Sequence, residues 1–264
     1  MAKKRKLFFF DIDGTLQAEN DGYIPESAIE SVKAIREKGY MAIINTGRTA
    51  MNVRDDIRSI GFDGYIFGCG TEVELNGRRI FYNKVDTELC RVLSDAVRSC
   101  NAAPLYERSD AMYFDSSTRI LPKMQELLDL YDRQGLEVKD LHKHDDFSYD
   151  KFCIWYDEET NMSRFRRMID GCFTYVNRGY GFAELLPSGC TKATGMKMVM
   201  REVGADPEDT VAFGDSLNDA DMLSESGFGV AMGGAKLLYP YADYITKDLR
   251  KHGIAFAIKQ NGLL

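Results

Sequence analysis

Closely spaced cysteine pairs are absent from this sequence. The six cysteines, at positions 69, 90, 100, 153, 172 and 190, include no Cys-x-x-Cys pair. Cysteines in a chain without a secretory signal are usually reduced thiols, because disulfides persist mainly in oxidising compartments. We therefore expect free thiols and a cytoplasmic protein.

Long hydrophobic runs are also missing. The basic start Met1-Ala2-Lys3-Lys4-Arg5-Lys6 resembles the first part of a signal peptide, but the apolar stretch behind it ends after four residues at Asp11. A signal peptide needs roughly 7–15 apolar residues at this point, and a membrane-spanning helix needs about 20. The sequence therefore predicts neither export nor a membrane span.

Positive charge is not in excess, since the formal net charge is −7. Such a chain has no general affinity for nucleic acid or for anionic membranes.

Internal repeats and low-complexity tracts are absent, which argues against a solenoid or a disordered tail. The 264 residues are 44% hydrophobic and 28% charged, as in a globular protein with one large domain or two modest ones. Nothing in the sequence indicates the oligomeric state.

The most informative feature that is present is the stretch Phe8-Phe9-Phe10-Asp11-Ile12-Asp13-Gly14-Thr15. A short apolar run bounded this sharply is typical of a strand buried on both faces. Asp11 then lies at the carboxyl end of the strand, where open parallel sheets bind ligands. Asp11 and Asp13 would point in opposite directions on an extended strand, so they share a site only if the chain turns, as Gly14 permits.

Two crowded carboxylates repel each other unless a cation or a shared proton neutralises them. Oxygen ligands favour Mg²⁺, which binds few protein oxygens, keeps several waters and bridges to substrate phosphate. The motif therefore predicts a phosphoryl-binding site with Mg²⁺. An ordinary polar turn after a strand would use the same residue types, because Asp and Gly are both common in turns.

Strand and helix patterns alternate at both ends of the chain. The first part predicts, after the opening strand, a helix over 25–38, a strand over 40–44, a helix over 50–60 and a strand over 65–67. The last part predicts a helix over 193–203 and strands over 210–213, 228–231 and 244–245. This order is typical of a parallel sheet with right-handed crossovers.

The middle of the chain follows a different order. Helical patterns over 86–100, 119–134 and 160–171 alternate there with strand patterns over 111–114, 151–156 and 173–176. We therefore predict an α/β fold, a doubly wound parallel sheet, with an inserted α+β domain. The expected boundaries are 1–82 with 184–264 for the first domain and 83–183 for the insertion.

Four polar segments fall at strand ends or helix starts on one side of the predicted sheet. They are Asp11 to Thr15, Thr46-Gly47, Lys192, and Gly214 to Asp219. Together they resemble the four motifs of the haloacid dehalogenase superfamily of phosphohydrolases, which has a Rossmann-like core. The resemblance runs from about residue 7 to 258 and is closest to the Cof-like branch, whose cap domain is inserted between the second and third motifs, as residues 83–183 are here.

The resemblance implies a Mg²⁺-dependent phosphatase. Asp11 would attack phosphorus to give an aspartyl-phosphate, while Asp13 would protonate the leaving alkoxide and then deprotonate the attacking water. The implied Mg²⁺ ligands are Asp215, the Asp11 carboxylate and the Asp13 backbone carbonyl.

Phosphoryl transfer also needs positive charge and hydrogen-bond donors at the phosphoryl oxygens. The resemblance assigns that task to the Thr46 hydroxyl, the Gly47 N–H and Lys192, with Asn218 and the Ile12 backbone beside them. Asp219 would orient Lys192 or a metal-bound water.

The implied substrate is a small phosphorylated metabolite, a phosphomonoester for which a sugar phosphate is one candidate. Two alternatives stay open. A phosphotransferase or phosphomutase would pass the phosphoryl group from the same aspartate to another acceptor, and a non-catalytic phospho-receiver would retain it as a signal. The lifetime of the phosphoenzyme separates these possibilities.

Overall fold

The structure is a computed structural model that describes residues 6–264. Residues 1–5, which begin the signal-like start, lie outside the described residues. The described chain forms two compact units. The first contains the residues up to Arg48, Asn52–Tyr82 and Thr191–Leu264, and the second contains Thr49–Met51 and Asn83–Cys190. No helix in the described part combines the length and apolar composition that a membrane crossing requires.

The amino-terminal part of the first unit alternates strands and helices and ends in a hairpin. Its elements are β1 (Leu7–Phe10), α1 (Glu26–Glu37), β2 (Met41–Asn45), α2 (Asp55–Arg58), β3 (Gly64–Phe67), β4 (Glu72–Leu75) and β5 (Arg78–Tyr82).

The second unit has its own sheet and helices. Its elements are α3 (Thr87–Ser99), β6 (Ala103–Arg108), β7 (Ala111–Phe114), α4 (Pro122–Arg133), β8 (Val138–Asp140), β9 (Lys151–Trp155), α5 (Met162–Ile169), β10 (Phe173–Gly179) and β11 (Phe182–Pro187). The six strands lie in the order β10-β11-β9-β6-β7-β8, and all neighbours are antiparallel except β7 and β8.

The chain then returns to the first unit. The remaining elements are α6 (Lys192–Val203), β12 (Thr210–Gly214), α7 (Ala220–Glu225), β13 (Phe228–Ala231), β14 (Tyr244–Ile245) and α8 (Gly253–Gln260). The eight strands of this unit lie in the order β14-β13-β12-β1-β2-β3-β4-β5. The first six of these are mutually parallel, and the β4–β5 hairpin adds an antiparallel edge. The predicted doubly wound parallel sheet is confirmed.

Strand β1 occupies the centre of this sheet because its side chains are apolar on both faces. Leu7 and Phe9 belong to one core cluster, which also contains Met196 and Val199 of α6. Phe8 and Phe10 point to the opposite face and are also fully buried. Burial of each such side chain stabilises the folded state by about 1.5–3 kcal/mol relative to leaving it exposed to water. This burial fixes the position at which the chain turns polar, directly after Phe10.

The inserted unit ends later in the chain than the predicted boundary at residue 183. Strand β11 begins at Phe182 and pairs with both β9 and β10, so residues beyond 183 belong to the second sheet. The second unit accordingly continues to Cys190. The functions of the two units, catalytic core and cap, stay predictions.

The predicted helix over 50–60 is wrong. Residues Ala50–Asn52 form a single 3₁₀ turn, and α2 spans only Asp55–Arg58. The backbone N–H of Met51 donates to the carbonyl of Ser109 within the second unit, so this stretch is held outside a continuous helix.

Candidate active site

The predicted site residues all lie in the first unit. Asp11, Ile12 and Asp13 follow β1, Thr46 and Gly47 follow β2, Asp215, Asn218 and Asp219 follow β12, and Lys192 begins α6. Strands β12, β1 and β2 are parallel neighbours, so their carboxyl ends share one edge of the sheet. The fold therefore gathers residues that are up to about two hundred positions apart in the sequence.

A tight turn directly after β1 shapes the first segment. The Ile12 carbonyl accepts from the N–H groups of Leu16 (2.9 Å) and Gln17 (2.8 Å), and the Gly14 N–H donates to the Gln17 carbonyl (2.8 Å). Gly14 has φ of +80°, which a residue with a Cβ rarely adopts. The turn brings the Thr15 hydroxyl to 3.4 Å from Oδ1 of Asp215.

Lys192 is fully buried between two carboxylates. Its Nζ donates to Oδ1 of Asp11 at 2.6 Å and to Oδ1 of Asp219 at 2.5 Å. Two contacts place the lysine here. Thr191 caps α6 through a capping box, and the amide of Asn45 at the end of β2 donates to the Lys192 carbonyl at 2.9 Å.

Asp219 uses both oxygens within the protein. While Oδ1 accepts from Lys192, Oδ2 accepts from the backbone N–H groups of Asp215 (3.0 Å) and Ser216 (3.1 Å). A Cβ on Gly214 would lie 2.5 Å from the Asp219 Cβ, so only glycine fits at this point. The carboxylate of Asp219 thus fixes both the loop after β12 and the position of Lys192.

Negative charge exceeds positive charge at this cluster. Oxygens of Asp11, Asp215 and Asp219 lie within 4.8 Å of one another and face one lysine. Burial raises the pKa of Asp11 well above its ordinary value, with the neighbouring carboxylates adding to the effect and Lys192 opposing it. Burial and the charge of Asp219 raise the pKa of Asp215 to about 7.

The pKa of Lys192 shifts in the direction that keeps it charged. Burial alone would lower this pKa, but the charges of Asp11 and Asp219 outweigh burial and raise it. The lysine therefore keeps its charge, and it is one cation beside three carboxyl groups.

The donor set fits a hard divalent cation. A cluster of buried carboxylates with one lysine has the excess negative charge that such a cation neutralises, and carboxylate oxygens are ligands that Mg²⁺ prefers. Since the oxygens of Asp219 bind Lys192 and the loop backbone, Asp11 and Asp215 are the side chains with oxygens available for a metal.

The residues predicted to bind phosphate lie beside this cluster in the fold. Thr46 is buried and its hydroxyl accepts from the Arg48 N–H at 3.1 Å. A Cβ on Gly47 would lie 3.8 Å from Nδ2 of Asn218 and 3.5 Å from Sγ of Cys69. Gly47 and Asn218 are thus neighbours, and the phosphate-binding function of these residues stays a prediction.

The side chain of Asp13 is not one of the three clustered carboxylates and is held by an arginine instead. Its side chain accepts from the guanidinium of Arg48, which also donates to Gln17. Neither Arg48 nor Gln17 is among the predicted site residues. The signal for Arg48 is its place immediately after Thr46-Gly47 at the end of a buried strand, whereas nothing in the sequence distinguishes Gln17.

Gly14 provides a test of the geometry. A Cβ at this position would lie 2.0 Å from Oδ2 of Asp215. We expect Gly14→Ala to displace Asp215 and to weaken the binding of Mg²⁺ to this cluster by roughly 100-fold. The matched control is Gly39→Ala, because Gly39 has a similar φ of +78° with no atom within 4 Å of its added Cβ. Both variants should lose thermal stability, and a normal Mg²⁺ affinity in Gly14→Ala, measured by calorimetry, would contradict the prediction.

Comparison with known proteins identifies the family. A model described as haloacid dehalogenase-like hydrolase matches residues 8–258. The Bacillus subtilis (strain 168) protein YkrA, named as a phosphatase, is 31% identical over 261 residues, which cover 98% of each chain. A second B. subtilis relative, the 5-amino-6-(5-phospho-D-ribitylamino)uracil phosphatase YcsE, is 26% identical over 96% of this chain and 94% of its own.

Solved structures show the same fold. A hypothetical protein from Geobacillus kaustophilus HTA426 is 28% identical, with a TM-score of 0.84 over 98% of this chain and 100% of its own. The subclass IIB sugar phosphatase BT4131 superposes with a TM-score of 0.82 at 24% identity, over 98% of this chain and 100% of its own.

The chain belongs to the haloacid dehalogenase-like hydrolase family. Within it, the protein is a phosphatase of the Cof-like branch, a phosphoric monoester hydrolase. The resemblance drawn from the four sequence motifs is confirmed.

Proposed function

We propose that this phosphatase hydrolyses a small phosphorylated metabolite through an aspartyl-phosphate on Asp11, with Mg²⁺ as its metal ion. The observation that carries the proposal is the Asp11 carboxylate, which is buried at the end of β1, bonded to Lys192 and adjacent to Asp215. Lys192 opposes the rise in the pKa of Asp11 that burial causes, and a bound Mg²⁺ would further favour the ionised form, which a nucleophile requires.

In the first transfer, an oxygen of Asp11 forms a bond to phosphorus as the bond to the leaving oxygen breaks. Asp13 gives its proton to that oxygen. Lys192, the Thr46 hydroxyl and the Gly47 N–H bind the phosphoryl oxygens, where negative charge develops.

In the second transfer, water attacks phosphorus and the bond to Asp11 breaks. Asp13 now takes the proton from the water, and both carboxylates return to their starting forms. Asp219 keeps Lys192 in place throughout, because one carboxylate oxygen holds the ammonium and the other holds the loop backbone.

Asp11, Asp215 and the Asp13 backbone carbonyl would hold Mg²⁺. A divalent ion supplies charge stabilisation to the phosphoryl group and offsets the repulsion between the nucleophile and an anionic substrate. Since the carboxylates outnumber the lysine in this cluster, the cation also stabilises the folded site.

The proposed substrates are small phosphomonoesters, including sugar phosphates. The relatives support this class, because their names include a phosphatase of a phosphoribityl compound and a sugar phosphatase. The six cysteines form no disulfide in the described part of the chain, which is compatible with a cytoplasmic enzyme.

Phosphate release from a broad panel of phosphorylated metabolites in the presence of Mg²⁺ tests the proposal. We expect turnover of several small phosphomonoesters, with a phosphoenzyme that forms and decays within each cycle. A phosphoenzyme that is stable in water but reacts with an added sugar or alcohol would show a transferase instead. Absence of any turnover, with a persistent phosphoenzyme, would show a receiver.

We further propose that the second unit selects among leaving groups. The residues proposed to act at phosphorus all lie in the first unit, whereas the second unit has a separate sheet and core. Replacing residues 83–190 by a short linker should preserve slow, Mg²⁺-dependent hydrolysis of p-nitrophenyl phosphate and abolish the preference among metabolites. If the shortened protein folds and keeps the preference order of the full chain, selectivity lies in the first unit.

A further inference from the structure

Arg48 holds the carboxylate of Asp13 in a fork. Its Nε donates to Oδ2 of Asp13 at 2.9 Å, and its Nη2 donates to Oδ1 at 2.5 Å. Two parallel bonds from one rigid planar group define both the position and the rotation of the carboxylate plane. A lysine would restrict the position and rotation of this carboxylate less, because its ammonium group is a point charge without a planar fork of donors.

The guanidinium is itself held in place by the protein. Nη2 also donates to Oε1 of Gln17 at 3.1 Å, and Nη1 donates to the Asn52 carbonyl at 3.4 Å. Gln17 is buried, and its amide in turn donates to the Gly22 carbonyl at 3.1 Å. Asp13 and Gln17 also form an isolated β-bridge, so the arginine joins two points of the same turn to the end of β2.

We propose that Arg48 is a positioning residue that acts through Asp13. The inference rests on the proposed function, in which Asp13 gives and takes the proton. Every guanidinium nitrogen donates to a protein oxygen, so the arrangement favours orientation of Asp13 over direct binding of substrate. Proton transfer needs the carboxyl oxygen within hydrogen-bond reach of the leaving oxygen or the water, and a carboxylate free to rotate meets that condition less often.

A double-mutant cycle tests the proposal with Asp13→Asn, Arg48→Met and the combined variant. The two substrates are p-nitrophenyl phosphate, whose p-nitrophenolate leaving group departs without a proton, and glycerol 2-phosphate, whose alkoxide leaving group must be protonated. We expect Asp13→Asn to lower kcat on the alkyl ester by roughly 10²–10⁴-fold. Arg48→Met should lower it by roughly 100-fold, with KM changed by less than about threefold.

The decisive result is the absence of additivity. If Arg48 acts through Asp13, adding Arg48→Met to Asp13→Asn should change kcat by about twofold at most. Both single variants should also lose more rate on glycerol 2-phosphate than on p-nitrophenyl phosphate in the formation of the phosphoenzyme, because the second transfer uses Asp13 with either substrate. If Arg48→Met lowers kcat by the same factor in the Asp13→Asn variant as in the wild type, Arg48 does not act through Asp13 and the proposal is overturned. A rise in KM at unchanged kcat in Arg48→Met would show that Arg48 binds substrate and would also overturn it.

Two further variants keep the test decisive. Arg48→Lys retains one charge without the fork, so we expect activity between those of the wild type and Arg48→Met, and full activity would overturn the proposal. Arg54→Met is the matched control, because Arg54 makes a surface ion pair with Asp56 at 3.2 Å and should be replaceable without loss. Full activity of Asp13→Asn on glycerol 2-phosphate would instead refute the proton-transfer function of Asp13 itself, and the inference with it.

Discussion

An Asp11→Asn variant should release phosphate at less than roughly one ten-thousandth of the wild-type rate while it folds normally. The amide has nearly the shape of the carboxylate, but it cannot act as an anionic nucleophile. Its fold should persist because Asp11 is one of three clustered carboxylates beside a single lysine, so removing one negative charge relieves repulsion. Substrate binding should be weakened much less than turnover.

The measurement combines steady-state phosphate release, trapping of the phosphoenzyme and thermal unfolding. The matched control is Asp129→Asn, at an exposed position of α4, which should leave all three unchanged. Undiminished phosphate release from a clean Asp11→Asn preparation would falsify the covalent mechanism. Retained turnover with no phosphoenzyme in the wild type would point to direct attack by water.

Removal of the metal should have the second-largest effect. We expect chelation to abolish wild-type turnover and added Mg²⁺ to restore it. Asp215→Ala should either eliminate turnover or shift the Mg²⁺ requirement upward by at least roughly 100-fold, because it removes a carboxylate with an oxygen available to the cation.

The readouts are the Mg²⁺ dependence of activity and the heat of Mg²⁺ binding in the absence of substrate. Asp215→Asn is a useful companion variant, since it keeps the side-chain volume and one oxygen. Its Mg²⁺ requirement should lie between those of Asp215→Ala and the wild type. Full activity in excess chelator would refute the metal assignment. Unchanged Mg²⁺ binding by Asp215→Ala would place the ion elsewhere.

The sequence predicts the parts of this fold in which local pattern and burial agree. The run Leu7–Phe10 is buried on both faces, so its apolar composition alone predicts a central strand. The same reasoning places Asp11 and Asp215 at strand ends. It fails where composition and structure diverge: β6 contains Pro104, and β11 contains the charged residue Glu184, so neither strand was predicted.

Side-chain partnerships lie beyond what pattern can predict. Lys192 and Asp219 are 27 positions apart, and Arg48 and Asp13 are 35 apart, so their contacts depend on how strands and loops meet in three dimensions. A motif can predict that Lys192 is near an anion. It cannot predict that the lysine is fully buried between two aspartates, because that depends on the Asn45 bond and the α6 cap.

The pairing of β1 with β12 has a consequence for the newly made chain. Leu7 pairs with Thr210, so the strand that carries Asp11 gains its second neighbour only after about two hundred further residues have been synthesised. Until then the edge of β1 is an unpaired row of backbone groups, which is prone to join other chains. The sheet of residues 83–190 needs no later segment and can fold first. A chain that ends between residues 190 and 210 would therefore contain the complete inserted unit attached to an aggregation-prone, inactive amino-terminal part.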